Sequence, residues 1–149
     1  MGSLKLTSSA FEDGSEIPRK YGYKNGNEVP PLAINGVPEG TEYLTLVMDD
    51  PDAMEPAGKV WVHWVIWNFT CFADGKPDFS RPTKQGMTDF GEVGYGGPAP
   101  PDKRHTYVFK LYALDTDLDL PDKSTKADVE KAMEGHIVDQ ATLTGTYAP

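Results

Sequence analysis

The sequence predicts a mainly β protein, a β-rich sandwich with one or two peripheral helices. Fifteen glycines and 13 prolines among 149 residues are more than a helical bundle tolerates, since both residues break helices and favour turns. Long apolar runs rich in β-branched and aromatic residues read as strands. Only one segment carries both a helix start and a helix stop.

The first run, Tyr43-Leu44-Thr45-Leu46-Val47-Met48, ends in Asp49-Asp50-Pro51-Asp52, a strand stop. The second, Val60 to Phe69, is apolar on both faces and reads as a central strand covered on two sides. The third, Thr106 to Leu114, has Lys110 as its only charged residue. The helix starts at Thr125, which forms a capping box with Asp128. Val129, Ala132 and Met133 share its inner face, and Gly135 supplies a left-handed cap. Ala141 to Tyr147 alternates once more. Tyr23 to Pro31 and Gly94 to Lys103 are turn-rich connections. No repeat, low-complexity tract or long linker divides the chain, so residues 1–149 are expected to form one domain.

Composition excludes several function classes. Fourteen Lys and Arg against 23 Asp and Glu give a net charge of −9, so bulk attraction to nucleic acid is not expected. With 38% apolar and 25% charged residues a core can be built. Cys71 is the single cysteine, which rules out an internal disulfide and suits a reducing compartment. The most apolar stretch is too short to cross a membrane and contains His63 and Asn68, so no membrane insertion is expected. The Met1-Gly2-Ser3-Leu4-Lys5-Leu6 start lacks the apolar region of a secretory signal, and the expected location is cytoplasmic.

Three features could carry chemistry. His63 sits inside the most apolar strand, as a core histidine satisfied by one hydrogen bond or as a site residue. His105 opens a strand and projects from the same face as Tyr107. His136 follows the helix cap, where an imidazolium complements the helix dipole. Asp49-Asp50-Pro51-Asp52 puts three carboxylates within four residues, either as turn formers or with Asp50 or Asp52 turned inward to orient an imidazole. The Gly94-to-Pro101 loop is neither a dinucleotide fingerprint nor a phosphate loop. Its glycines expose backbone N–H groups and its prolines stiffen it, which suits an anion pocket. A metal set from Asp50, Asp52, His63 and His105 is arithmetically possible, but its spacing singles out no ion, so neither metal nor cofactor is expected.

The run Val47-Met48-Asp49-Asp50-Pro51-Asp52-Ala53, then Val62-His63-Trp64-Val65 with Asn68, then Tyr95-Gly96-Gly97-Pro98 with Pro100-Pro101 and His105-Thr106-Tyr107, resembles the phosphatidylethanolamine-binding protein family. That family is also called Raf kinase inhibitor proteins. Val29-Pro30-Pro31-Leu32, Gly36-Val37-Pro38 and the closing Gly145-Thr146-Tyr147 look like its bacterial and archaeal branch.

The resemblance implies a β-sandwich with a large central sheet and Greek-key connections. It implies a small anion pocket formed by Asp50, Pro51, Asp52, His63, Tyr95, Gly97, Pro100, Pro101, His105 and Tyr107. The implied ligands are phosphate, acetate or phosphoethanolamine-like head groups. Protease or kinase partners and a homodimer are also implied. The chain departs from the family pattern at Met54, where Pro is usual, at Thr106, where Arg is usual, at Lys103 and at Ile34. The expected function is non-catalytic binding of a small anion, with His63 and His105 as donors and Asp50 and Asp52 behind them. Its rivals are a protease or kinase inhibitor acting through the loop Asp52 to Lys59 or Gly97 to Arg104, and a hydrolase using an Asp–His pair.

Overall fold

The computed structural model describes residues 2–149. In chain order the strands are β1 (Lys5–Thr7), β2 (Ala33–Asn35), β3 (Tyr43–Asp50), β4 (Trp61–Cys71), β5 (Pro77–Asp78), β6 (Lys84–Gln85), β7 (His105–Leu114) and β8 (Ile137–Tyr147). Two helices accompany them, the single turn α1 (Met54–Ala57) and α2 (Lys126–Met133). The chain is mainly β, as its turn residues and alternation require.

The large sheet is antiparallel, in the order β5-β4-β3-β7-β8, with β6 also on β4. Strands β3 and β4 are sequence neighbours, whereas β7 returns from the far edge to lie beside β3. That order, β7-β3-β4-β6, is a Greek key. The strand pair β1–β2 covers one face. There Leu4, Leu6 and Ile34 pack with Leu44, Leu46, Met48, Trp64, Ile66, Phe109 and Leu111. The other face holds a smaller cluster, in which Val129 and Met133 of α2 meet Val47, Val65, Trp67 and Leu114. Strand β4 is therefore covered on both sides, as its continuous apolar run predicts.

Helix α2 begins and ends where the sequence places it. Thr125 accepts from the Asp128 N–H at 3.2 Å, Asp128 returns a bond to the Thr125 N–H at 3.0 Å, and Gly135 follows at φ 81°. Two strands run further than alternation indicates. Strand β3 continues through Asp49 and Asp50, because both buried carboxylates find partners, Asp49 in two lysines and Asp50 in His105, and only Pro51 breaks the ladder. Strand β8 begins at Ile137, four residues before the alternating segment. Backbone pairing with β7 carries it past Ile137 and Val138, whose side chains are exposed.

Antiparallel register assembles one end of the sheet. The end of β3 lies against the start of β4, with Asp50 opposite Trp61, and against the start of β7, with Asp49 opposite Val108. Three segments far apart in sequence thus deliver Asp50, His63 and His105 to one place.

Candidate functional site

Between Met48 opposite Trp64 and Asp49 opposite Val62, the register slips by one residue. His63 is the extra residue of this β-bulge. Strict alternation from Trp64 would send His63 to the opposite face, and the bulge turns it back. Its ring meets Tyr107 edge-on at 5.1 Å and Phe90 at 5.2 Å. His63 is buried, with Nδ1 2.7 Å from the Gly96 carbonyl oxygen. Burial pulls its pKa below the usual histidine range, against the opposing pull of the Gly96 carbonyl and the Asp50 charge.

His105 has the opposite character. Its Nδ1 lies 2.6 Å from Asp50 Oδ2 and its Nε2 lies 2.7 Å from Asp102 Oδ1, although the ring is buried. A neutral imidazole has one N–H to donate, so contact with two carboxylates calls for a second proton. Burial opposes that proton, but the hydrogen bonds and charges of Asp50 and Asp102 outweigh it, and the pKa is raised. Two carboxylates thus clasp the His105 ring and favour its imidazolium form.

These groups line a cavity of about 250 Å³. Its polar lining is Asp50, His63 and His105. Its walls are Trp61 and Phe90, with Ala53, Pro56 and Ala57 from the α1 turn and Ala99 and Pro101 from the later loop. The Ala99 N–H makes no hydrogen bond among the described residues. The Tyr107 hydroxyl is buried behind the two imidazoles. Asp50 and Ala99 are its polar neighbours, yet neither sits at hydrogen-bonding geometry.

Of the ten residues singled out in the sequence, the structure brings Asp50, His63, Pro101 and His105 together on the cavity surface. The rest stand around it. Pro51 and Asp52 are exposed on a tight turn, where Asp52 accepts from the Thr106 N–H at 2.8 Å and so ties the ends of β3 and β7. Asp50, not Asp52, is the carboxylate turned to an imidazole. Tyr95 points into the core, with its ring against Trp64 and its hydroxyl donating to Tyr21 O at 2.9 Å. Pro100 faces a second concavity beside Arg19 and Tyr147. The Gly97 N–H is already taken, donating to Asn27 Oδ1 at 2.7 Å. Gly97 is required for close approach, since a Cβ there would run into the Tyr21 carbonyl.

Sequence reasoning missed Asp102, Trp61, Phe90 and the α1 turn. It also missed Asn27, which accepts from Gly97 and donates to the Tyr95 carbonyl at 3.1 Å, bracketing the Gly96 carbonyl that holds His63. His136 stays outside the site, exposed and 2.9 Å from Asp115. Among the described residues no helix is long and apolar enough to cross a membrane.

Fold and site together define a small Greek-key β protein whose cavity, at one end of its main sheet, is built from two histidines and an aspartate. The phosphatidylethanolamine-binding protein family model matches residues 7–148. A UPF0098 protein of Methanothermobacter thermautotrophicus is 44% identical, over 97% of this chain and 98% of that one. A solved phosphatidylethanolamine-binding protein homologue from Chlamydia trachomatis superposes with TM-score 0.88 at 36% identity, covering 99% of this chain and 98% of the other. YbcL of E. coli, described as a member of the mammalian family, superposes with TM-score 0.84 at 30% identity over 98% of both. The chain belongs to the phosphatidylethanolamine-binding protein family.

Proposed function

We propose that the cavity binds a small oxyanion, inorganic phosphate or a phosphorylated head group such as phosphoethanolamine, without turning it over. The chain then serves as a regulatory or inhibitor-type binding protein. The observation that carries this is the His105 ring held between Asp50 and Asp102, which favours its imidazolium form. Its Nε2–H is a charged donor at the cavity, and the Asp102 carboxylate, itself an oxyanion, already sits on it at 2.7 Å. Asp102 is half-exposed on a loop, so an incoming anion can take its place. A volume of about 250 Å³ admits a head group and excludes a whole lipid.

Calorimetric titration with O-phosphoethanolamine at about pH 6 tests the reading, because the raised pKa of His105 favours the imidazolium there. Saturable binding that is lost in His105→Ala and tightened in Asp102→Ala is expected. Absence of binding, or wild-type affinity in His105→Ala, overturns it.

A further inference from the structure

The His63 ring is fixed as an acceptor toward the cavity. A carbonyl oxygen offers only lone pairs, so the contact with Gly96 places the ring proton on Nδ1. The loop cannot easily withdraw from that bond. The Gly96 N–H donates back to the His63 carbonyl at 2.8 Å, and Asn27 clamps both neighbours of Gly96. The titratable groups around the ring are Asp49 and Asp50 of β3 with His105 and Tyr107 of β7, and burial outweighs the pull of the two carboxylates toward a second proton. A neutral ring protonated at Nδ1 carries a lone pair on Nε2, and that nitrogen has no hydrogen-bond partner among the described residues.

Asp50 is the second acceptor. One of its oxygens holds His105 and the other accepts from the Asp52 N–H at 2.9 Å, and each keeps a further lone pair. An oxyanion without hydrogen would meet these groups lone pair against lone pair. Charge points the same way. Asp50 and Asp102 flank one imidazolium, and no Lys or Arg lines the cavity to neutralise a second ligand charge.

We infer that the cavity selects oxyanions that carry their own proton, namely inorganic phosphate or a phosphomonoester bound as the hydrogen-bearing monoanion. The P–OH group donates to His63 Nε2 or to Asp50, and a remaining phosphoryl oxygen accepts from His105. The inference rests on the anion-binding reading above and names the ligand class within it. Dimethyl phosphate matches the charge of the monoanion and sulfate its tetrahedral shape, but neither has a hydrogen to give.

The test uses the wild-type chain and calorimetry at about pH 5, below the second phosphate pKa of about 6, where a phosphomonoester mostly keeps its second proton. Inorganic phosphate, O-phosphoethanolamine, sulfate and dimethyl phosphate are titrated in turn. The two ligands with a P–OH group are expected to bind at least about tenfold tighter than the two without, since an acceptor left facing an anion is strongly unfavourable. Equal affinities, or tighter sulfate, overturn the inference and leave anion binding standing. No binding by any of the four overturns the anion-binding reading itself.

Discussion

Asp49 and Asp50 are adjacent in sequence and both are buried, yet β3 sends them to opposite faces of the sheet. Asp49 points toward the α2 side, where Lys110 and Lys126 each place Nζ 2.9 Å from the same carboxylate oxygen. Burial opposes the charge on Lys126, but its bond to Asp49 prevails and its pKa is raised. Asp50 points toward the cavity and is met by an imidazolium and a backbone N–H. One carboxylate is paired with two lysine ammonium groups, the other with an imidazole, the side chain whose charge changes most readily near physiological pH. The difference separates a structural ion cluster, which ties β3, β7 and α2 together, from a site whose charge responds to solution conditions.

The sharpest way to break this comparison is to remove the cations on the structural side. Lys110→Met with Lys126→Met leaves Asp49 buried beside no cation, and a loss of about 3 kcal/mol or more is expected in urea denaturation. A loss below about 1 kcal/mol would show that Asp49 does not depend on its lysines.

On the cavity side, Asp50→Asn should destabilise by about 1–2 kcal/mol, because His105 keeps Asp102 as a partner. The distinguishing readout is NMR titration of the His105 ring, expected to move to lower pH. An unmoved titration would remove Asp50 from the clasp.

The wild-type pH profile sharpens the contrast without mutation. The raised His105 pKa gives stability that is complete below the ordinary histidine value, about 6.5, and is lost as pH rises through the raised one. The depressed His63 pKa gives stability that is present above about 6.5 and is lost as pH falls through the lowered one. Denaturation midpoints across pH should therefore peak between the two. A midpoint that keeps rising through the alkaline side contradicts the assignment of His105. The smallest effect belongs to Lys103→Ala. Its bond to Glu55, 3.1 Å long and exposed at both ends, joins the two loops at the cavity mouth, and the melting temperature should not change measurably.

Much of this was legible in the sequence. Alternation located β3, β4 and β7, and Thr125 with Asp128 located α2, because these signals are local and repeat along the chain. That Asp50 or Asp52 turns inward to an imidazole could be anticipated from the types of residue, but which aspartate meets which histidine is set by the strand pairing. Asp102 could not, because its reach back to His105 depends on how the Pro100-Pro101 segment bends. The bulge at His63 is a property of pairing between two strands and leaves no trace in either one. The cavity walls were equally hidden. Trp61, Phe90, Ala53 and Ala99 come from separate segments, and nothing in each segment marks it as a wall. Tyr95 shows the converse, a residue of the expected type in the expected loop that the chain turns into the core.

The wall formed by Trp61 has a further consequence. The chain has three tryptophans, of which Trp64 and Trp67 are buried among apolar side chains and only Trp61 borders the cavity with its indole partly open to solvent. Two indoles therefore emit from fixed surroundings while the third reads the contents of the site, and Phe90 holds it edge-on at 5.7 Å. A molecule entering the cavity is expected to change the Trp61 emission, so binding can be tested by intrinsic fluorescence with no dye or label attached.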